Sequence, residues 1–239
     1  MRMKPLVSII IPIRRGENID RLLVSIANSS YKNVEVIVVD ENAERSRQRN
    51  IGIDRAKGEY LFIPDSDWVI TPDLIKECVY TMREWALDAM YIPEQIKTKG
   101  LFAKIRNWER QFYTATPIDV VRFVRVIGCP KFDESMVGPE DSDWDRRVGN
   151  WRETSKNCYY HYDNINMFQY FAKKNYYAKS MNRFAEKWPN DETLDFKYRC
   201  FGIFLENGKW KKFLSNPIMA MAVMFIIFVR AVIYLRRNK

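Results

Sequence analysis

The chain contains a single histidine, His161, and four cysteines, Cys78, Cys129, Cys158 and Cys200, none of which forms a Cys-x-x-Cys pair. A zinc site or a disulfide framework is therefore not expected, and a reducing compartment suits such scattered thiols. No repeat and no low-complexity stretch interrupts the sequence. The N-terminus begins basic and turns apolar, but the apolar run is short and lacks a small-residue cleavage site, so we read no signal peptide. Acids are in deficit, 30 Asp and Glu against 39 Lys and Arg, and the net charge of +9 calls for an anionic partner: nucleic acid, a lipid surface or a phosphorylated small molecule. The excess lies mostly towards the C-terminus, at Lys173, Lys174, Lys179, Arg183 and Lys187 and again from Lys209 to Lys239.

What is present points to a globular body. The 239 residues are 47% hydrophobic, enough for one domain with an appendage. Residues 6–11 (LVSIII) and 34–40 (VEVIVVD) read as strands buried on both faces, and 59–64 (EYLFIP) as a third. Ile19, Leu22, Leu23 and Ile26 carry helical spacing between the first two, and 45–56 reads as a helix before the third. This alternation predicts an α/β fold with a mainly parallel sheet, its ligands bound beyond the carboxyl ends of the strands. Thr71 and Pro72 read as the N-cap and first residue of a further helix. Residues 89–94 follow as a strand, 102–112 as a helix, 120–126 as an extended segment, and 164–188 as one or two aromatic, basic helices.

Pro217 to Leu235 holds one charge, Arg230, in nineteen residues, roughly 28 Å of helix at ~1.5 Å per residue. A soluble helix needs a polar face, and Ile218 to Val229 offers none, so we expect membrane contact, with spanning and in-plane insertion both open and Arg230 near enough to the end to snorkel.

The tripeptide Asp-Ser-Asp occurs twice, at 65–67 and at 141–143. The first follows a strand at the crevice edge, where Asp65 and Asp67 can hold a hard cation such as Mn²⁺ or Mg²⁺ against a diphosphate. The second lies with Glu140 and Asp145 near a helix start, where acids complement the helix dipole or supply a base of shifted pKa.

In order and spacing, VSIIIP, VIVVDE, RNIGIDRAKGEYLFIPDSD with TPDLI, and GPEDSDWDRRV resemble the inverting glycosyltransferases of family 2, over about residues 6–150. The resemblance implies the GT-A fold, a nucleotide-diphosphate sugar as co-substrate and a divalent metal. It implies that Pro12, Asp40 and Arg49 line the nucleoside pocket, that Asp65 and Ser66 meet the donor, that Asp67 with Asp65 ligates the metal, and that Asp141 is the general base. Glu140 and His161 are further candidates at the site, although a lone histidine among tyrosines is more often simply packed. Glu109 and Arg122 serve equally as acceptor-pocket residues or as a structural ion pair. Pro64 and Pro139 depart from the pattern and stiffen both loops, and the short stretch between Asp40 and Arg49 leaves the base open. No Gln-x-x-Arg-Trp follows Asp141, which within this resemblance favours transfer of one sugar over processive synthesis.

The expected organisation is a catalytic domain over 1–160, with a nucleotide-binding half of about 1–95 and an acceptor half of 96–160. An aromatic, basic helical segment (161–212) and a membrane-associated or transmembrane helix with a basic tail (213–239) follow. The acceptor is read as a polyprenyl-linked saccharide or other glycan, with polyprenyl phosphate as runner-up. Membrane lipids would hold the catalytic domain on the cytoplasmic side of the cell membrane. A basic nucleic-acid-binding protein is the reading from another class; it ranks below because acids at strand ends repel phosphates, so no nucleic-acid partner is expected.

Overall fold

The computed structural model describes residues 4–162 and 166–237. Val7–Pro12 forms β1, buried along its whole length. It is followed by α1 (Asp20–Ala27), β2 (Val34–Val39), α2 (Arg45–Arg55) and β3 (Tyr60–Phe62). β1 pairs in parallel with both β2 and β3, as the alternation predicts. β2 is an edge strand with Val36 and Val38 exposed, so its apolar run is not the doubly buried strand the sequence suggests.

Next come β4 (Trp68–Ile70), α3 (Leu74–Glu84), β5 (Ala89–Tyr91), β6 (Glu94–Ile96), α4 (Leu101–Arg110), β7 (Phe123–Arg125), α5 (Glu140–Arg147), β8 (Arg152–Thr154) and β9 (Tyr159–His161). The main sheet runs β2-β1-β3-β7-β5-β8, and a small one runs β4-β9-β6. β7 is antiparallel to both β3 and β5, so the sheet is mixed rather than mainly parallel. The cause is the path of the chain: after β5 it builds β6 and α4 beyond the carboxyl end of the sheet and must re-enter from there. The stretch 89–94 is not one strand, because Pro93 cannot donate to a ladder and the chain changes sheets across it. Thr71 does not cap α3. Its hydroxyl donates to the Cys158 carbonyl at 3.0 Å, and the helix begins at Leu74 after Asp73.

The last part is helical: α6 (Met167–Tyr177), α7 (Met181–Lys187), α8 (Ile203–Leu205), α9 (Trp210–Leu214) and α10 (Pro217–Arg237). Asn166 and Gln169 close a capping box at the start of α6. Val223 and Ile227 of α10 pack with Phe112, Tyr113, Ile203 and Phe204 in a buried cluster. Arg230 is drawn inwards to an ion pair with the fully buried Glu109, so it does not snorkel. Among the described residues no helix is long and apolar enough to cross a membrane, which counts against spanning, one of the two open alternatives: α10 spends one face and its arginine on the body of the protein. The other face, with Ile218, Met221, Phe225 and Phe228, is exposed. Residues 238–239 of the basic tail lie outside the described residues.

Candidate active site

The site is built at the carboxyl ends of β1 and β3. A Cβ on Gly52 would fall 2.2 Å from Ile10 Cγ2, so only glycine lets α2 lie this close to β1, and that approach sets Arg49 beneath the loop after β3. Arg49 is fully buried and is ion-paired to Asp141 and, at 3.3 Å, to Asp65. It therefore joins the two acidic loops. It neither lines the donor-side cavity nor forms a surface ion pair. Arg122 stands 3.0 Å from Asp141 and 4.0 Å from Asp65, and Arg45 stands 3.8 Å from Asp65. Burial alone would raise the pKa of both carboxyls, but Arg122 with Arg45 and Arg49 outweighs it at Asp65, and Arg122 with Arg49 at Asp141, so both lie below the ordinary carboxylate range. Glu140 is shifted the other way, raised by burial and by neighbouring Asp141.

Asp67 points away from this cluster. Its Oδ2 is 2.8 Å from His161 Nε2, while His161 Nδ1 is 2.6 Å from Glu94, and Glu94 is 2.9 Å from Arg110. Burial works against the imidazolium, but the two carboxylates prevail and raise the His161 pKa to about 10. His161 is held there by the antiparallel pairing of β9 with β4, which sets it opposite Trp68.

Among the described residues no three acidic, histidine or cysteine side chains converge to cage a metal, and Asp65 turns to arginines rather than joining Asp67. Asp67 nevertheless suits a divalent ion that takes its remaining ligands from substrate phosphates, and His161 joins it once the ion displaces the proton on Nε2, with Glu94 orienting the imidazole from behind.

Two kinds of cavity meet at these residues. A donor-side cavity of ≈ 780 Å³ is lined by Pro12, Ser66, Asp67, Glu140 and the cations Arg14, Arg15, Arg45 and Lys173, among others. Asp40 is exposed and lies just outside this lining, which takes up the chain at Glu41. Ser66 donates to Glu17 at 2.5 Å across its rim. The acceptor-side space, in two lobes of ≈ 230 and ≈ 220 Å³, holds Asp141, Arg106, Arg110, Arg122 and Lys174. The donor cavity and the second lobe share Arg45, Asp65, His161, Lys173 and Tyr177 as a wall. Gly138 has φ +109°, and a Cβ there would fall 2.6 Å from Tyr177 Cβ, so α6 closes directly onto the start of α5.

Sequence reasoning passed over Arg45, Glu94, Arg106 and Arg110. Arg106 and Arg110 lie four residues apart on α4, with Glu109 three residues after Arg106, and read as an ordinary helix face. Only the tertiary contacts of Glu94 and Glu109 turn that face into a cavity wall.

Comparison with known proteins bears on the fold and on part of the sequence. Residues 41–130 match Glycosyl transferase family 2, a stretch that includes Arg49 and the first Asp-Ser-Asp and stops short of Asp141. A Haemophilus influenzae protein described as an uncharacterized glycosyltransferase is 28% identical over 101 residues, covering 30% of this chain and 40% of that protein. Among solved structures, the crystal structure of S. aureus TarS covers 95% of this chain and 54% of its own, with a TM-score of 0.52 and 17% identity. TarS 1–349 in complex with UDP-GlcNAc covers 98% and 92%, with a TM-score of 0.51 and 16% identity. The structural likeness shows a shared GT-A-like fold. The chain spans about half the length of full TarS and less than half of the H. influenzae relative.

Proposed function

We propose that this chain is an inverting glycosyltransferase that moves one sugar from a nucleotide-diphosphate sugar to a lipid-linked or glycan acceptor at a membrane surface. The observation that carries this reading is the shared wall: a cation-lined cavity large enough for a nucleotide sugar abuts a second, polar cavity through Asp65 and His161. TarS 1–349 has been crystallised with UDP-GlcNAc, so a UDP-linked sugar is the first donor to test.

Arg14, Arg15, Arg45 and Lys173 supply the positive potential a diphosphate needs. Asp67 and His161 would hold Mn²⁺ or Mg²⁺, whose chemistry here is to offset charge on the leaving diphosphate. Asp141 takes the proton of the acceptor hydroxyl as that oxygen bonds to the anomeric carbon. The bond from that carbon to the diphosphate oxygen breaks on the opposite face, which inverts the centre and releases the nucleoside diphosphate. Arg49 and Arg122 keep Asp141 ionised but blunt its basicity, and a substrate anion that draws Arg122 away restores it. The exposed apolar face of α10, with Lys211 and Lys212 nearby, supports in-plane contact with the cytoplasmic leaflet.

The test is a panel of UDP-, GDP- and dTDP-linked radiolabelled sugars with Mn²⁺ and membrane lipid extract. One donor is expected to give a lipid-extractable product. Asp141→Asn is expected to bind nucleotide normally yet lose transfer about 10² to 10⁴-fold. Unchanged turnover in that variant removes Asp141 from the base role, and transfer without any divalent ion removes the metal role of Asp67.

A further inference from the structure

The arginines around the acceptor-side cavity have carboxylates of their own. Arg122 has Asp141, Arg110 has Glu94, and Arg106 and Arg230 share Glu109. Lys174 differs. It projects from α6 into the same space as Asp141 and His161, and among the described residues its ammonium has no hydrogen-bond or ion-pair partner, only the face of the Tyr170 ring 5.5 Å away. Burial, together with Arg106, Arg230 and Arg110 and against the influence of Tyr170, lowers its pKa to about 8, so at neutral pH it stays charged in a place where charge is costly. Tyr170, facing the same cations, has its phenol lowered to about 8. A cluster of this kind is stabilised by an anion, and no carboxylate among the described residues is paired with Lys174.

That anion belongs to the acceptor side. Lys173, one residue earlier and about 100° away around the helix, lines both the donor cavity and the second lobe, whereas Lys174 lines only the acceptor space. The acceptor space also continues. It shares Tyr113, Ile118, Arg199 and Arg230 with a mainly apolar cleft of ≈ 210 Å³ between α7 and α10, which runs on past Leu194 and Ile227. A polar chamber with a surplus cation that opens into an apolar cleft is complementary to a phosphate ester of a hydrocarbon.

We propose that the acceptor carries a phosphate group, that Lys174 receives this phosphate beside Asp141, and that the cleft between α7 and α10 takes the hydrocarbon attached to it. This rests on the glycosyltransferase reading and adds to it the chemical class of the acceptor and the residue that recognises it.

Calorimetric titration of the full chain with geranyl phosphate, glycerol phosphate and geraniol tests each part, with UDP, GDP and dTDP titrated in parallel. Geranyl phosphate is expected to bind wild type and Lys174→Arg alike, and to weaken about tenfold or more in Lys174→Gln, the loss of one charge-assisted contact, while UDP binding and the melting temperature stay unchanged. Glycerol phosphate and geraniol should each bind more weakly than geranyl phosphate. Equal binding of geranyl phosphate by Lys174→Gln and wild type overturns the role of Lys174. Equal binding of geraniol overturns the phosphate, and equal binding of glycerol phosphate overturns the cleft. A wild-type chain that binds UDP but not geranyl phosphate defeats this inference alone, whereas one that binds none of UDP, GDP and dTDP defeats the parent reading and this inference with it.

Discussion

The two Asp-Ser-Asp triplets have the same letters and different backbones. In the first, which lies in the loop between β3 and β4, Asp65 lines both cavities and Asp67 lines the donor side. The second lies in the first turn of α5, and of its two acids only Asp141 reaches the cavity. Asp143 is fully buried on the other side, 2.7 Å from Lys187 and from Arg147 and 3.0 Å from the Trp188 indole nitrogen. At 3.6 residues per turn, side chains two apart on a helix diverge by about 200°, so a helical triplet can give only one acid to a cavity. A loop has no such constraint. Arg49, bonded to one acid from each triplet, makes the loop and the helix start one structure.

The largest test of that unity is Arg49→Met. It removes the fully buried cation between Asp65 and Asp141 and leaves them Arg122 and Arg45, so a cost of about 3 kcal/mol in denaturant unfolding is expected, the low end for breaking a buried pair. A loss below about 1 kcal/mol, the scale of an exposed pair, would mean that the triplets are independent. Next in size, Asp143→Asn should cost about 1 to 3 kcal/mol of stability and leave nucleotide affinity intact. Asp67→Ala should do the reverse, weakening Mn²⁺-dependent nucleotide binding while moving stability by only about 0.5 kcal/mol. Equal nucleotide losses in the two variants would erase the distinction between loop and helix acids.

The smallest effect concerns an acid outside both triplets. Asp119 lines the acceptor space, and burial raises its carboxyl to about 7 despite hydrogen bonds from the Ala115 and Val120 amides and the nearby Arg110 and Arg122. In the unfolded chain an aspartate titrates near ~3.9. Between that value and about 7 the folded state binds more protons, so this group makes stability fall as pH rises through the window and contributes no further change above it. Asp119→Asn should flatten that part of the profile, read from urea midpoints between these limits. Parallel profiles for variant and wild type would show that Asp119 is ionised throughout.

Much of the donor half was legible in the sequence because local patterns govern it. An apolar run closed by Pro12 makes a buried strand wherever helices cover both faces, and an acid at the end of β3 falls at the crevice edge of an α/β sheet. The acids of the first turn of α5 were also readable, since helix starts favour them. The exposed position of Asp40 and the half-exposed β2 were not, because sequence does not say which strand lies at an edge. The inward face of the C-terminal helix and the pairing of its arginine were not legible for a related reason: an apolar stretch looks the same whether a lipid or the protein's own aromatic cluster covers it, and the pairing of Arg230 with Glu109 lies 121 residues along the chain.

By itself the sequence determined the element types, the acids placed at strand and helix ends, and the resemblance those residues carry. All of these depend on neighbours within a few positions, where propensity and periodicity act. Only the tertiary structure decided the direction of β7, the burial of Arg49 between acids 16 and 92 residues away, the contact of His161 with Asp67 across 94 residues, and the unpaired ammonium of Lys174. These are outcomes of desolvation and charge pairing between distant segments. A side chain's charge costs or contributes according to what the fold brings beside it, and one position's residue type does not carry that information.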